Sequence, residues 1–544
     1  MILIKRLLFT VVFSIAGLSV YSTNYYFFVQ FTNKKGTNYS LTSPSQYLSA
    51  RSIARRQAFG IVIDSTDLPV NQNYVTPLIA KGLTIMCRSK WLNGVTALMS
   101  DSSIMNSVRA LPFVKKVQYT GKSTSALSVP RKVKSVANDI NYGTAANQIN
   151  QLKLASLHNA GFTGKNILIG VLDAGFYNAD INPGMDSLRL QGRLLGTKNI
   201  PAPGVSVFSE DSHGANVLSI ISGNLPASYV GAAPESSFWL IRTEYAATEN
   251  LMETDFWDAG IEFADSVGVD LINSSLGYTT FDDVAMNFTY ADMNGKVSRA
   301  SIAAGMAATK GIIVCNSAGN EGSSSNTWHY IGSPADADGI VTVGAVDVNG
   351  VSSSFSSWGP TSDGRVKPEI CAVGSATSYI NTGGATNSGS GTSYSCPLIT
   401  GAMACFLQYV KATKPSLSVP EILNMVFQTG SHYSAPTDQQ GYGIPDFGLA
   451  MSNLTTFDVN EIARWDNAKI VFDGSDRSLN ISVDRPADIS GLELNLYSVT
   501  GKMVMIKHLS GYSNRISLQN VPEGVYLIRL KVKDKIQTGK FILN

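Results

Sequence analysis

The chain has 544 residues, 44% of them hydrophobic and 15% charged, with 48 glycines and a formal net charge of +2. That length exceeds one ordinary domain, and the composition excludes a disordered or fibrous chain. With neither sign of charge dominant, there is no electrostatic ground for a nucleic-acid or anionic-membrane partner.

The N-terminus carries Lys5 and Arg6, an apolar run from Leu7 to Leu18, and small or polar residues through Ser22, the pattern of a secretory signal peptide over residues 1–22. A buried first helix or membrane anchor is the alternative, but the run is short for a span of about 20 residues. No later segment is long and apolar enough, so no transmembrane segment is expected, and the chain is expected to be secreted or held at the cell surface. Five cysteines, Cys87, Cys315, Cys371, Cys396 and Cys405, are an odd number in mostly apolar surroundings and are read as buried free thiols.

Residues 23–119 read as a small α/β unit. It has a strand over 25–31, a polar helix from Pro44 to Arg56, a strand pair from Gly82 to Ser100, a helix from Asp101 to Ala110 and a strand from Val114 to Tyr119. Residues 120–141, rich in Ser, Lys and Arg and without periodicity, read as an exposed, cleavable linker. Over 142–452, short apolar runs alternate with helical stretches, the pattern of a doubly wound parallel α/β sheet. Its strands are expected at 166–173, 237–242, 271–275, 312–317 and 340–346, and its helices at 147–160, 215–223, 254–267, 298–310 and 393–411. Residues 453–544 alternate apolar and polar positions, as in Leu492–Tyr497 and Val525–Val532, and read as an antiparallel β-sandwich.

Nucleophilic catalysis by a hydroxyl needs a base, a group to orient the base, and donors aimed at the developing oxyanion. Val171-Leu-Asp173-Ala-Gly175 puts an acid at the carboxyl end of an apolar strand, where open α/β sheets expose functional residues, although Asp-x-Gly is also an ordinary turn. Of the five histidines (His158, His213, His329, His432 and His508), only His213 sits at a glycine-marked entry into an apolar helix. His158 falls inside an amphipathic helix and reads as a satisfied core or surface residue. Gly389-Ser-Gly-Thr-Ser393 sets a hydroxyl at a helix start, where backbone N–H groups favour negative charge, although a serine N-cap gives the same pattern. Ala318-Gly-Asn320-Glu-Gly322 ends a strand with a side-chain amide between glycines, either a donor or a turn residue. No Gly-x-Ser-x-Gly elbow occurs, which disfavours an α/β-hydrolase esterase or lipase.

These four segments, in the order Asp, His, Asn, Ser at intervals of 40, 107 and 73 residues, resemble the subtilisin-like proteases. Tyr142-Gly143, Gly161-Phe-Thr-Gly164, Asn273-Ser-Ser-Leu-Gly277, Val343-Gly-Ala-Val346 and the stretch from Ser353 to Gly374 extend the resemblance across 142–451. It implies a serine endopeptidase with Asp173, His213 and Ser393 as its triad and Asn320 in the oxyanion hole. Ser275, Leu276 and Gly277 with Ser317, Ala318 and Gly319 would line the primary pocket and pair with an extended protein or peptide substrate. Asn216 stands where the family usually has a second histidine, and Pro397-Leu-Ile-Thr-Gly401 where Pro-His-Val-Ala-Gly is common. Neither departure removes a triad member.

Residues 25–119 resemble the family's inhibitory propeptides through Trp91-Leu-Asn-Gly-Val-Thr-Ala97 and Leu111-Pro-Phe-Val-Lys-Lys-Val117, which implies a zymogen inhibited by its own propeptide. Leu496-Tyr-Ser-Val-Thr-Gly-Lys502 and Val521-Pro-Glu-Gly-Val-Tyr-Leu527 resemble the sorting domains of bacterial type IX secretion cargo, which implies delivery by that machinery. A carbohydrate- or protein-binding accessory module is the alternative for this last unit. The chemistry requires no cofactor. A structural calcium ion belongs to the family pattern, but no acidic loop here can be assigned to it. The rival reading of the whole chain is an inactive, surface-displayed binding protein on a protease scaffold.

Overall fold

The computed structural model describes residues 24–123, 141–464 and, with gaps at 474–476, 484–491, 499–501, 510–512, 523 and 533–534, residues 468–543. The expected signal peptide and most of the expected linker lie outside the described residues.

The N-terminal unit runs β1 (Asn24–Phe31), α1 (Ala50–Ala58), α2 (Gln72–Ala80), β2 (Thr84–Ser89), β3 (Gly94–Met99), α3 (Ile104–Arg109) and β4 (Val114–Ser123). Its strands form one antiparallel sheet in the order β2-β3-β1-β4, with a core that includes Phe27, Val29, Phe31, Val75, Leu78 and Val95. The helix expected from Pro44 starts instead at Ala50, because the Ser49 side chain caps it by accepting from Ser52 N–H. Helix α2 was not expected, since Pro77 inside it lacks an N–H and argues against helix. Strand β4 continues past Tyr119 to Ser123, held by pairing with Asn24–Tyr26 and by the Thr120 carbonyl, which accepts from Met252 N–H at 2.8 Å.

The central unit adds α4 (Ala146–Gln151), α5 (Ala155–Asn159), β5 (Leu168–Asp173), α6 (Asp186–Leu190), β6 (Leu194–Asn199), α7 (His213–Ser222), β7 (Asn224–Leu225), β8 (Tyr229–Val230), β9 (Ser237–Arg242), α8 (Glu253–Val267) and β10 (Leu271–Ser274). There follow α9 (Arg299–Thr309), β11 (Ile313–Ser317), β12 (Val341–Val346), β13 (Ile370–Val373), β14 (Thr377–Ile380), β15 (Thr386–Gly389), α10 (Thr392–Thr413), α11 (Val419–Phe427) and α12 (Phe447–Asn460). Seven strands form a parallel sheet in the order β13-β12-β11-β10-β5-β9-β6. Its inner strands are apolar without alternation because helices cover both faces: α7 and α10 pack on one side, α8 and α9 on the other. The chain leaves β5 toward β6 and β9 on one side and β10 to β13 on the other, so a crevice opens at the carboxyl ends around β5. The single helix expected over 147–160 is broken into α4 and α5 at Lys153, whose φ is +52°. Helix α12 runs across the boundary expected at residue 453, and Phe447, Ala450 and Leu454 belong to the central core.

The C-terminal strands form two four-stranded antiparallel sheets. Ile470, Leu479, Ile481, Leu494, Leu496 and Ile528 share one apolar cluster between them, which makes a sandwich.

The N-terminal unit docks on α8 through buried charge. Glu262 accepts from Ser89 Oγ at 2.9 Å and from the backbone N–H groups of Lys90 and Trp91 at 2.7 Å each. Asp265, fully buried, holds Lys90 at 2.7 Å, Arg55 at 2.5 Å and Arg56 at 3.0 Å. Burial would raise the Asp265 pKa, but these three cations outweigh it and keep the carboxyl well below the usual range. Further along, Lys310 meets Asp67 at 3.1 Å, and Arg51 pairs with Asp270.

Candidate active site

Asp173 is the last residue of β5 and fully buried; His213 is the first residue of α7. The motifs carrying them touch closely. A Cβ on Gly214 would lie 2.4 Å from the Gly175 carbonyl oxygen, and one on Gly175 would lie 2.4 Å from Asp211 N. Only glycine lets the helix start come down onto the strand end. His213 Nδ1 then lies 2.9 Å from Asp173 Oδ1. A carboxylate only accepts, so Nδ1 carries a proton and donates, and in the neutral imidazole Nε2 is then the nitrogen left to accept.

Asp173 Oδ1 also accepts from Ala174 N–H at 2.8 Å, whereas Oδ2 makes no hydrogen bond. Burial disfavours a charged imidazole, but Asp173, with smaller contributions from Asp211 and Glu244, outweighs it and raises the His213 pKa to about 9. The side chain remains about a third exposed (32%), open to the cleft.

Ser393 is the second residue of α10, a 22-residue helix. Gly391 precedes it with φ 156°, and a Cβ there would stand 3.1 Å from Ser393 Oγ and 3.7 Å from Asn320 Oδ1, so glycine keeps the space beside the hydroxyl open. Asn320 Oδ1 accepts from Thr392 N–H at 2.8 Å and from Thr392 Oγ1 at 3.1 Å. Those donors fix which end of the amide is oxygen. The exposed Nδ2 is left as a donor, and the Ser393 N–H is a first-turn amide without an intrahelical partner. Tyr394 faces Asn216, which brings the start of α10 against the start of α7. Asn216, at the family's second-histidine position, therefore packs against the residue that follows Ser393.

Strands β10 and β11 are adjacent and parallel, so Ser275–Gly277 and Ser317–Gly319 leave the sheet at the same edge. Ser275 Oγ donates to the Ser393 carbonyl at 3.1 Å, and Gly319 N–H donates to Thr392 Oγ1 at 3.2 Å. Leu276 and Ala318 are buried, while Gly277 is exposed and Gly319 half-buried.

Two contributors had not been assigned a part: Arg242, which no motif announces, and Thr392, which sits inside the Gly389–Ser393 motif. Arg242, buried at the end of β9, donates through Nε to the Ala174 carbonyl at 2.8 Å and pairs with Glu210 at 3.3 Å, joining the segment after Asp173 to the one before His213. Thr392 fixes Asn320. Arg242 lies in register with Asp173, a relation that only the strand pairing reveals.

His158 is a satisfied core histidine, bonded to Tyr142 Oη at 2.8 Å and to the Ala232 carbonyl at 3.0 Å. All five cysteines are free; four are buried and Cys87 is half-buried. Among the described residues, no group of three or more His, Cys, Asp or Glu side chains is placed to hold a metal ion, and no residue is assigned to calcium. Among them too, no helix is long and apolar enough to cross a membrane.

Three family models match successive stretches of the chain. A model of the Bacteroidota peptidase S8 propeptide domain matches residues 26–138, and a model of the secretion system C-terminal sorting domain matches 475–544. Subtilisin E of Bacillus subtilis is 28% identical over 328 residues, 60% of this chain and 74% of its own length. The subtilisin of Bacillus pumilus is 30% identical over 272 residues, 50% of this chain and 86% of its own. The thermostable alkaline protease of Halalkalibacterium halodurans is 25% identical over 355 residues, 64% of this chain and 86% of its own. The subtilase family model matches residues 164–443, more than half of the chain, and with its propeptide and sorting domain the protein belongs to that family as a serine endopeptidase, secreted or carried to the cell surface.

Proposed function

We propose that the chain is the zymogen of an endopeptidase that hydrolyses proteins through an acyl-enzyme on Ser393. The observation that carries this is the Asp173–His213 pair at 2.9 Å, set beside the start of the helix that bears Ser393. Ser393 Oγ attacks the scissile carbonyl while His213 Nε2 takes its proton and then returns it to the leaving amine. Asp173, buried and with one oxygen unbonded, stabilises the imidazolium formed in between. The Asn320 Nδ2 and Ser393 N–H groups donate to the tetrahedral oxyanion. Water then attacks the acyl-enzyme by the same proton route in reverse.

The substrate backbone lies extended between Ser275–Gly277 and Ser317–Gly319, with a side chain in the pocket they line. The propeptide blocks the enzyme until the linker after β4 is cut. The sorting domain passes the precursor to the secretion machinery. Fluorophosphonate labelling followed by casein digestion tests the reading. The mature protein should take the label and cut casein; no label would favour the inactive scaffold, and label without proteolysis an esterase.

A further inference from the structure

One wall of the cleft is acidic well beyond what catalysis uses. Glu244 lies two residues past β9, whose Arg242 is in register with Asp173, so it stands at the same carboxyl edge as the catalytic pair. Glu253 opens α8 and is buried, accepting from Tyr245 N–H and Asn250 N–H only at 3.4 Å. Glu249, half-buried, is bonded through its backbone to the Asp282 segment, which brings in a fourth carboxylate. Two basic side chains neighbour them, and both are already engaged: Arg242 with Glu210 and the Ala174 carbonyl, and His213 with Asp173.

The buried Tyr278 hydroxyl is turned toward Glu244. What points to a peptide ligand is an extended chain already lying on this wall. Thr120 of β4 accepts from Met252 N–H at 2.8 Å, and Gly121 packs against Asn250, whose buried Nδ2 is unpaired. The propeptide thus lays a backbone along this wall. In this state burial above all, with neighbouring carboxylates second, pushes Glu244 up to about 7 against the pull of Tyr278 and His213, Glu249 to about 8 and Glu253 to about 10.

We infer that Glu244, Glu249 and Glu253 form a specificity wall that selects a Lys or Arg side chain on the acyl side of the scissile bond. The carboxylates are spread along the wall and do not converge on one point, which suits the reach of a long basic side chain better than a metal ion. The chain's own linker offers such side chains, for Arg131, Lys132 and Lys134 follow the strand that lies on this wall.

The inference rests on the peptidase reading, and the test separates the two. The mature enzyme is given internally quenched peptides in which each acyl-side residue in turn is Arg, norleucine or Glu. At one position Arg should exceed norleucine in kcat/KM by about tenfold, with Glu the poorest. Glu244→Gln and, independently, Glu249→Gln should each bring the Arg-to-norleucine ratio toward one, and Glu249→Lys should invert the order of Arg and Glu. Cleavage without preference for Arg at any position, or a preference that survives both neutral variants, would overturn the specificity wall and leave the peptidase standing. Failure to cut any peptide would overturn both.

Discussion

Replacing Asp265 by Asn should weaken the hold of the propeptide on the peptidase domain by about two orders of magnitude. Asp265 is completely buried between three propeptide cations, Lys90, Arg55 and Arg56, at 2.7, 2.5 and 3.0 Å. Removing one member of a buried ion group costs roughly 3–5 kcal/mol, because the charges left behind stay desolvated. The low end applies here, since each cation keeps another partner: Arg55 the Val269 and Lys310 carbonyls, Arg56 the carboxylate of Asp67, and Lys90 the hydroxyl of Ser266. About 3 kcal/mol corresponds to roughly 150-fold in affinity. The hydrogen-bonded cations of Asp265 all belong to the propeptide, so the cost should fall on the complex and appear almost whole in the inhibition constant. The assay is hydrolysis of a small peptide by mature wild-type and D265N enzymes, titrated with separately produced residues 24–123, which carry their own apolar core. Peptide kcat/KM should be unchanged, because Asp265 sits near the far end of α8 from the cleft. An inhibition constant within threefold of wild type would refute the electrostatic account of docking.

Three other outcomes follow from the geometry. Because the raised His213 pKa keeps the base protonated, kcat/KM should climb with pH toward about 9, and Glu244→Gln, by removing a negative charge, should move the midpoint of a pH–rate profile down; an upward move would contradict the field described. Asn320→Ala should lower kcat by roughly 10²–10³ with little change in KM, a magnitude taken from the family's own oxyanion donor and read by steady-state kinetics; a loss under threefold would remove Asn320 from the oxyanion hole. A chain ending at Asn460, which keeps α12 and its core residues Phe447, Ala450 and Leu454, should hydrolyse peptides with unchanged kinetics but fail to reach the medium of its native host; if purified, folded protein of that length is inactive, the sorting domain is part of the catalytic machine.

The positions of Asp173, His213, Asn320 and Ser393 were legible because each lies where a long apolar run meets glycine, and such punctuation survives in one dimension. The central strands were legible for a related reason, since burial on both faces leaves runs such as Leu168–Asp173 with no polar residue until the carboxylate. Edge strand β6, with exposed positions along it, and β13, four residues long, carried too little pattern to be seen. Pro77 hid α2, and no residue type marks the break between α4 and α5. Arg242, Thr392 and the Glu244–Tyr278 contact depend on strand register and on which segments share an edge, so they emerge only once the chain is folded. Asp265 reads in the sequence as one more polar position on an amphipathic helix; its three buried cations come from a unit more than 170 residues upstream.

Ser393→Ala removes one hydroxyl at a helix start, at a stability cost of about 1–2 kcal/mol at most, so the variant should fold with the wild-type circular dichroism spectrum. It should show no detectable casein cleavage, take no fluorophosphonate, and remain a full-length precursor with its propeptide attached. A folded Ser393→Ala protein that cuts casein at the wild-type rate would contradict the nucleophile assignment and the mechanism built on it.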